Sequence, residues 1–347
     1  MVNKHTKIVS EMIATYKVNA KKLLEANADF SEVCYLSTED EKLGTYDSNQ
    51  TNRYRILVGI QFTEDIIPYE NLIRYLLLEE IKDRETNSFQ GYGNELNLAV
   101  WLIKTFCKES DLELFERAKK ANFDTYCGFD AEDIHINYFE SDVTTLDIDD
   151  CLELALDLQE NNYSHKLLKL WKSNQTSWNE DNLNQLRWYE HRRKNTVGEL
   201  DTLIKLFELK GKNAYDWDYC SLSEKIANKQ IELRQIPAAF STIIQMLPRL
   251  MNINEWQRVG LGQFIMEDCM DIVILGDEQI AEQIWYAMKP HAIAMENMYW
   301  MHWNLYKKSA KAADKMGDSE LSQIFLERLN KEQKGLLKPG QTKKQTF

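Results

Sequence analysis

The chain is poor in the residues that punctuate β-rich folds: it has 5 prolines and 13 glycines in 347 residues. A sandwich or barrel of many short strands needs more turn residues than that; long helices joined by short turns do not. It has no Cys-x-x-Cys pair and no two histidines one helical turn apart, so neither supports a transition-metal site. The six cysteines, Cys34, Cys107, Cys127, Cys151, Cys220 and Cys269, are scattered. They read as free buried thiols in a reducing cytoplasm. No run approaches the roughly 18 apolar residues of a membrane span. The most apolar window, residues 264–275, is broken by Glu267, Asp268 and Asp271. The first ten residues lack the apolar run of a secretory signal. Cations are also in deficit, with 42 Lys and Arg against 55 Asp and Glu, a net charge of −13. That average field repels a nucleic-acid backbone, which weighs against a nucleic-acid partner while leaving room for local basic patches. There is no Gly-Lys-Ser/Thr phosphate loop, no Gly-x-Ser-x-Gly elbow and no EF-hand spacing. Gly260-Leu261-Gly262 sits within an apolar helical pattern and lacks the third glycine of a dinucleotide loop. No cofactor is expected.

What is present is a recurring turn. Gly276-Asp277-Glu278-Gln279-Ile280-Ala281-Glu282-Gln283-Ile284 and Gly317-Asp318-Ser319-Glu320-Leu321-Ser322-Gln323-Ile324-Phe325 align without a gap. In each, Gly ends one amphipathic helix and Asp caps the next. First helices are expected to start near Asp147, Asn179, Asp216, Asn254 and His291. Second helices are expected near Tyr163, Thr196, Pro237, Asp277 and Asp318. The repeat is roughly 34 to 42 residues, the signature of stacked helical hairpins. The predicted fold is mainly α: an α-solenoid over residues 147–334, a mostly helical N-terminal domain over 1–146, and a flexible basic tail over 335–347.

Within the N-terminal domain, residues 4–26 read as an amphipathic helix with Ile8, Met12, Tyr16, Ala20 and Leu23 on one face. Residues 54–62, β-branched and apolar, read either as a strand of a small β-hairpin with residues 30–36 or as a continued helix. Pro68 opens a helix that closes on the charged run of residues 79–85. Further helices are expected over 95–107 and 111–121, and residues 122–150 read as an acidic, loop-rich junction.

Asn161-Asn162-Tyr163-Ser164-His165-Lys166-Leu167-Leu168 and the two Gly-Asp turns resemble the turn and second helix of tetratricopeptide repeats. Those repeats carry a Gly, an Asn or Asp, often a Tyr, and a small residue where the helices touch. Ala281 and Ser322 match the small residue; Lys166 does not, and the aromatic and Gly positions of the family's first helix are not matched consistently. The resemblance covers residues 147–332 and implies an α-solenoid that binds protein. It implies no catalytic residue.

Three stretches carry candidate sites. Residues 288–306 are dense in Met and aromatics, including Met295, Met298, Tyr299, Trp300, Met301 and Trp303; they form either a peptide groove or a core face. Residues 188–194, Trp-Tyr-Glu-His-Arg-Arg-Lys, either receive an anionic partner through bidentate Arg or are a solvated helix end suited to the helix dipole. Residues 123–135 bring carboxylates, Cys127 and His135 within a dozen positions, a candidate cation or Cys–His site. Caps and turns explain the same aspartates without chemistry, with Cys127 and Phe129 packed inward. First helices of a solenoid line its concave face, so the expected binding residues are Trp188, Arg192, Trp217, Tyr219, Trp256, Tyr299 and Trp303. The expected function is a cytoplasmic scaffold or peptide-binding protein with no catalysis of its own. The alternatives are an acidic inhibitor or immunity-type protein that masks a basic toxin or enzyme, and a hydrolase-like enzyme using the loop of residues 124–135.

Overall fold

The computed structural model describes residues 3–40, 44–87, 91–106, 108–132, 142–296 and 301–336. The chain divides into two compact units, residues 1–176 and 177–347. Both are helical, and the one sheet among the described residues is a two-stranded hairpin.

The first unit runs α1 (Lys4–Lys22), β1 (Ser37–Asp40), β2 (Gly44–Asp47), α2 (Gln50–Gln61), α3 (Glu70–Thr86), α4 (Gly93–Lys104), α5 (Asp111–Lys120), α6 (Phe123–Gly128), α7 (Ile148–Asp157) and α8 (Asn161–Asn174). The strands pair antiparallel, Ser37 opposite Asp47 and Asp40 opposite Gly44. The hairpin therefore lies outside both runs the sequence offered for it. The apolar run of residues 54–62, which read either as a strand or as a continued helix, lies in α2 and its end. That helix is buried through Arg53, Tyr54 and Ile56–Ile60, and a helix covered on most of its circumference carries apolar residues without a 3.6-residue stripe. Gly59 lets α1 and α2 meet: a Cβ there would stand 2.6 Å from the backbone of Tyr16.

The helices α7 and α8, assigned by sequence to the array, pack with the first unit. The cause is a clasp on the turn between them. Arg55 donates to the Leu158 carbonyl from Nε and Nη2, at 3.1 and 2.8 Å, and Tyr16 donates to Glu160 at 2.5 Å. Gln159 reaches Thr51 at 2.9 Å.

The charged run that closes α3 is not solvated. Glu80, Asp83 and Arg84 are buried, and so is Arg53 of α2. Arg53 meets Asp47 of β2 at 2.5 Å and Glu80 at 2.6 Å. Arg84 meets Glu80 at 3.3 Å and also pairs with Asp83 and with Glu95 of α4. Asn87 donates to Asp83 at 2.6 Å. Four carboxyl groups thus face two guanidinium groups away from water. Complete ionisation would leave uncompensated negative charge in a poorly solvated place, which is costly. Burial accordingly pushes Glu80 up to about 7 and raises Asp83.

The second unit runs α9 (Glu180–Arg192), α10 (Thr196–Lys210), α11 (Asp216–Glu232), α12 (Ile236–Leu250), α13 (Gly260–Leu275), α14 (Glu278–Glu296), α15 (Trp303–Lys315) and α16 (Ser319–Leu336). Each odd helix packs on the even one after it, α13 lies against both α11 and α15, and α12 touches α14. Neighbouring-helix packing of this kind is compatible with a helical repeat. The stripe Ile236, Ala239, Ile243, Met246 and Leu250 of α12 shows the rule: spacing of three and four residues buries one face. Asn179, Asp277 and Asp318 cap helices as their sequence positions require. Asn254 does not start a helix; a short turn at Trp256–Arg258 precedes α13. His291 lies inside α14, and the next first helix begins at Trp303.

The reversals within the hairpins share one geometry. Gln159, Lys194, Arg234 and Gly317 have φ of 52°, 55°, 59° and 74°. In each turn the left-handed residue donates its N–H to a carbonyl three back, and the next residue donates to one five back: Lys194 to His191 at 2.8 Å and Asn195 to Glu190 at 2.9 Å, for example. This is the Schellman closure, which satisfies carbonyls the helix end would leave orphaned. Gly276 is different. Its backbone is extended, φ −72° and ψ 166°, and a Cβ would meet the Ile272 carbonyl oxygen at 2.7 Å. The two aligned glycines therefore answer different constraints, one conformational and one steric.

Two outcomes are expected. Gly317→Ala costs about 1 kcal/mol, the penalty of the left-handed conformation, whereas Lys194→Gly stays within about 0.5 kcal/mol because relief of that penalty is offset by unfolded-state entropy; urea denaturation measures both. For the buried cluster, the folded pKa of Glu80 exceeds its unfolded value, so its proton stabilises the fold at low pH and that contribution is lost as pH rises through about 7. The unfolding midpoint should fall as pH is raised from about 4.5 to about 7 and level off above that, and Glu80→Gln should flatten this part of the profile.

Candidate functional site

The described residues among the expected binding residues differ in exposure. Trp188 on α9 is half exposed, and the Arg192 guanidinium stacks on its ring at 5.6 Å. Most of the other charges in that basic run are engaged inside the unit. Arg193 pairs with Glu190 at 2.9 Å, and His191 meets Glu199 at 3.2 Å. Lys194 is the left-handed turn residue. Trp217 is half exposed at the start of α11. Tyr219 packs inward against Phe207 at 5.0 Å, under the Arg249 guanidinium at 4.1 Å. Trp256 is buried in the core beside His291, ring centroids 5.1 Å apart, so it is not a surface anchor. The turn that delays α13 folds it inward, and Gly262 leaves room for its carbonyl, which a Cβ would meet at 2.0 Å.

The Met-rich stretch is mostly core. Met288, Met295, Met301, Leu305 and Tyr306 are buried. Trp303 is 46% exposed at the first turn of α15, next to exposed His302, whose ring lies 6.3 Å from Phe264 of α13. Tyr299, Met298 and Trp300 lie outside the described residues.

The acidic stretch of residues 123–135 resolves into caps and turns where it is described. Asn122 and Thr125 make a reciprocal capping box at the start of α6, and Asp130 accepts from the Glu132 N–H at 2.9 Å. Phe129 is buried as expected, but Cys127 is exposed. His135 and Asp133 lie outside the described residues. Among the described residues no group of three His, Cys, Asp or Glu side chains is placed to hold a metal ion, and no helix is long and apolar enough to cross a membrane. The buried thiols are poor nucleophiles: burial pushes Cys151 up to about 12 and Cys220 up to about 11.

A different surface stands out. The first helices α11, α13 and α15 enclose a cleft of about 490 Å³. Asn228, Ile231 and Glu232 line it from α11, Asp271, Ile274 and Leu275 from α13, and Asn304, Lys307, Lys308 and Lys311 from α15, with Arg234 at its edge. Residues 304, 307, 308 and 311 fall on one helical face. Lys308 bridges Glu267 at 3.0 Å and Asp271 at 2.8 Å. Burial opposes its charge, but the two carboxylates outweigh that and raise its pKa. Beneath the cleft, Asn228 donates to Asp268 at 3.0 Å. Burial raises Asp268 well above the usual carboxyl range, and its second oxygen has no hydrogen-bond partner among the described residues. A smaller cleft of about 150 Å³ follows the same faces of α9 and α11, lined by Glu180, Asn184, Ser221 and Lys225 among others.

Sequence reasoning missed the larger cleft because its parts come from three helices some forty residues apart. The one local signal was the cation spacing on α15. Comparison with protein-family models, curated proteins and solved structures gives no match.

Trp256→Ala should cost roughly 3–5 kcal/mol, the price of emptying a buried aromatic site. Trp303→Ala should stay within about 0.5 kcal/mol. Chemical denaturation of the two variants side by side checks both burial assignments.

Proposed function

We propose that this protein is a cytoplasmic binding protein without catalytic activity of its own. On this reading its second unit is a tetratricopeptide-like array of helical hairpins that holds a protein or peptide on the face of its first helices. The observation that carries the reading is the cleft between α11, α13 and α15: it mixes apolar wall, amide and charge on three adjacent helices. Such a surface suits recognition by packing with polar selection. The half-exposed Trp188, Trp217 and Trp303 on first helices supply aromatic anchors of the kind that dominate binding energy. An enzymatic reading draws less support, since Asp130 is engaged in a turn, Glu132 pairs with Lys104, and burial raises the thiols Cys151 and Cys220.

The net charge of −13 favours a second reading, in which the chain masks a basic toxin or enzyme with its carboxylates. Both readings make this a binding protein, and they differ in which surface is used.

Purification of the full chain from its source cell with its partner, followed by lysine-directed cross-linking and mass spectrometry, tests the proposal. Cross-links to the partner are expected from Lys225, Lys307 and Lys311. Cross-links confined to the second helices or to the first unit would contradict it, and a strongly basic partner held by acidic surface elsewhere would favour the masking reading.

A further inference from the structure

The cleft between α11, α13 and α15 has a charge balance opposite to that of the chain. Its acids are already paired: Asp271 with Lys308 at 2.8 Å, and Glu232 with Lys229 at 3.1 Å. Just beyond the lining, Glu267 also pairs with Lys308, at 3.0 Å. Lys307, Lys311 and Arg234 are exposed, line the same cleft, and form no ion pair among the described residues. The lining thus carries four cations, Arg234, Lys307, Lys308 and Lys311, against two acids, Glu232 and Asp271, in a protein of net charge −13. The remote carboxylates do not cancel them, because at physiological salt a charge is screened within about 8 Å.

The spacing narrows the occupant. Lys307 and Lys311 stand one helical turn apart, about 6 Å along the axis. An extended chain presents side chains on one face every second residue, about 6.6 to 6.8 Å apart. Two carboxylates at alternate positions of an extended segment therefore match the two ammonium groups. Ile274 and Leu275 offer an apolar wall beside the pair, and Arg234 closes the edge with a fork that takes a carboxylate in bidentate fashion.

Resting on the binding function proposed above, we infer that this cleft holds an extended acidic segment of a partner protein, with carboxylates at alternate positions on Lys307 and Lys311 and a further one on Arg234. The test is fluorescence anisotropy with the full chain and a labelled, C-terminally amidated peptide carrying glutamate at every second position. A matched peptide with glutamine in place of glutamate is the control. Saturable binding is expected for the glutamate peptide only. The double substitution Lys307→Gln with Lys311→Gln should weaken it at least tenfold, and raising the salt from about 50 to about 500 mM should weaken it further. Lys205→Gln, an exposed cation on α10, should change nothing. Circular dichroism melting confirms that each variant folds. Absence of saturable binding, equal affinity of the double variant, or equal binding of the glutamine peptide would each overturn the inference. So would self-association of the chain that the double variant abolishes without any peptide uptake, which would assign the cleft to a second copy. A partner that cross-links to the first-helix face yet lacks an acidic segment would overturn this inference alone and leave the proposed function standing.

Discussion

Four helical hairpins of this protein reverse through a single residue in the left-handed conformation, and the placement of its surfaces follows from that constraint. A Schellman closure uses up the free carbonyls at the end of one helix and returns the chain within two residues. The next helix must then lie antiparallel against the one just finished. Only Gly317 enters this conformation without steric cost; Gln159, Lys194 and Arg234 adopt it against their intrinsic preference. Packing and the paired turn hydrogen bonds outweigh that preference three times over. The reward is geometric: in the second unit α11, α13 and α15 come side by side, and residues far apart in the chain share one cleft.

Charge is handled differently in the two units. In the first, Arg53 and Arg84 hold Asp47, Glu80, Asp83 and Glu95 together in the interior and join β2, α2, α3 and α4. Such a cluster gives geometric specificity more than stability, since desolvation offsets much of the attraction. Because acids outnumber cations there, protonation relieves the surplus. In the second unit the cleft has the opposite surplus, and no proton can relieve it: lysine and arginine stay charged at neutral pH. Water and counterions screen it, and the acidic segment proposed above would take their place. That asymmetry separates the buried ion cluster of the first unit from the exposed cleft to which the partner is assigned by proposal.

Helix existence was legible from periodicity and caps, and it was legible where the signal is local. Asn179, Asp277 and Asp318 cap helices within three residues of themselves, so the sequence could be read directly. Failures occurred where partners are distant. Residues 54–62 left strand and helix both open, and the covering neighbours that go with the helix are not visible in any alternation pattern. Glu80, Asp83 and Arg84 show in the sequence only as part of a charged run, because Arg53, Asp47 and Glu95, which meet them in the interior, lie elsewhere in the chain. Three of the four left-handed turns lack glycine, so the turn signature showed at Gly317 and stayed hidden at Lys194 and Arg234. The aligned Gly276 looked equivalent and is not. For the site, aromatic content pointed to Trp188, Trp217 and Trp303, which are half exposed, and also to Trp256, which is core. Exposure depends on where a neighbouring turn folds, and composition does not carry that.

The central claim is that the face made by the first helices is where a partner is held. Hydrogen–deuterium exchange of the full chain, with and without its purified partner, addresses it most directly. Slowed exchange concentrated in α11, α13 and α15, with α12, α14 and α16 unchanged, is the result this account predicts. Protection confined to the second helices, or to the first unit, would contradict it.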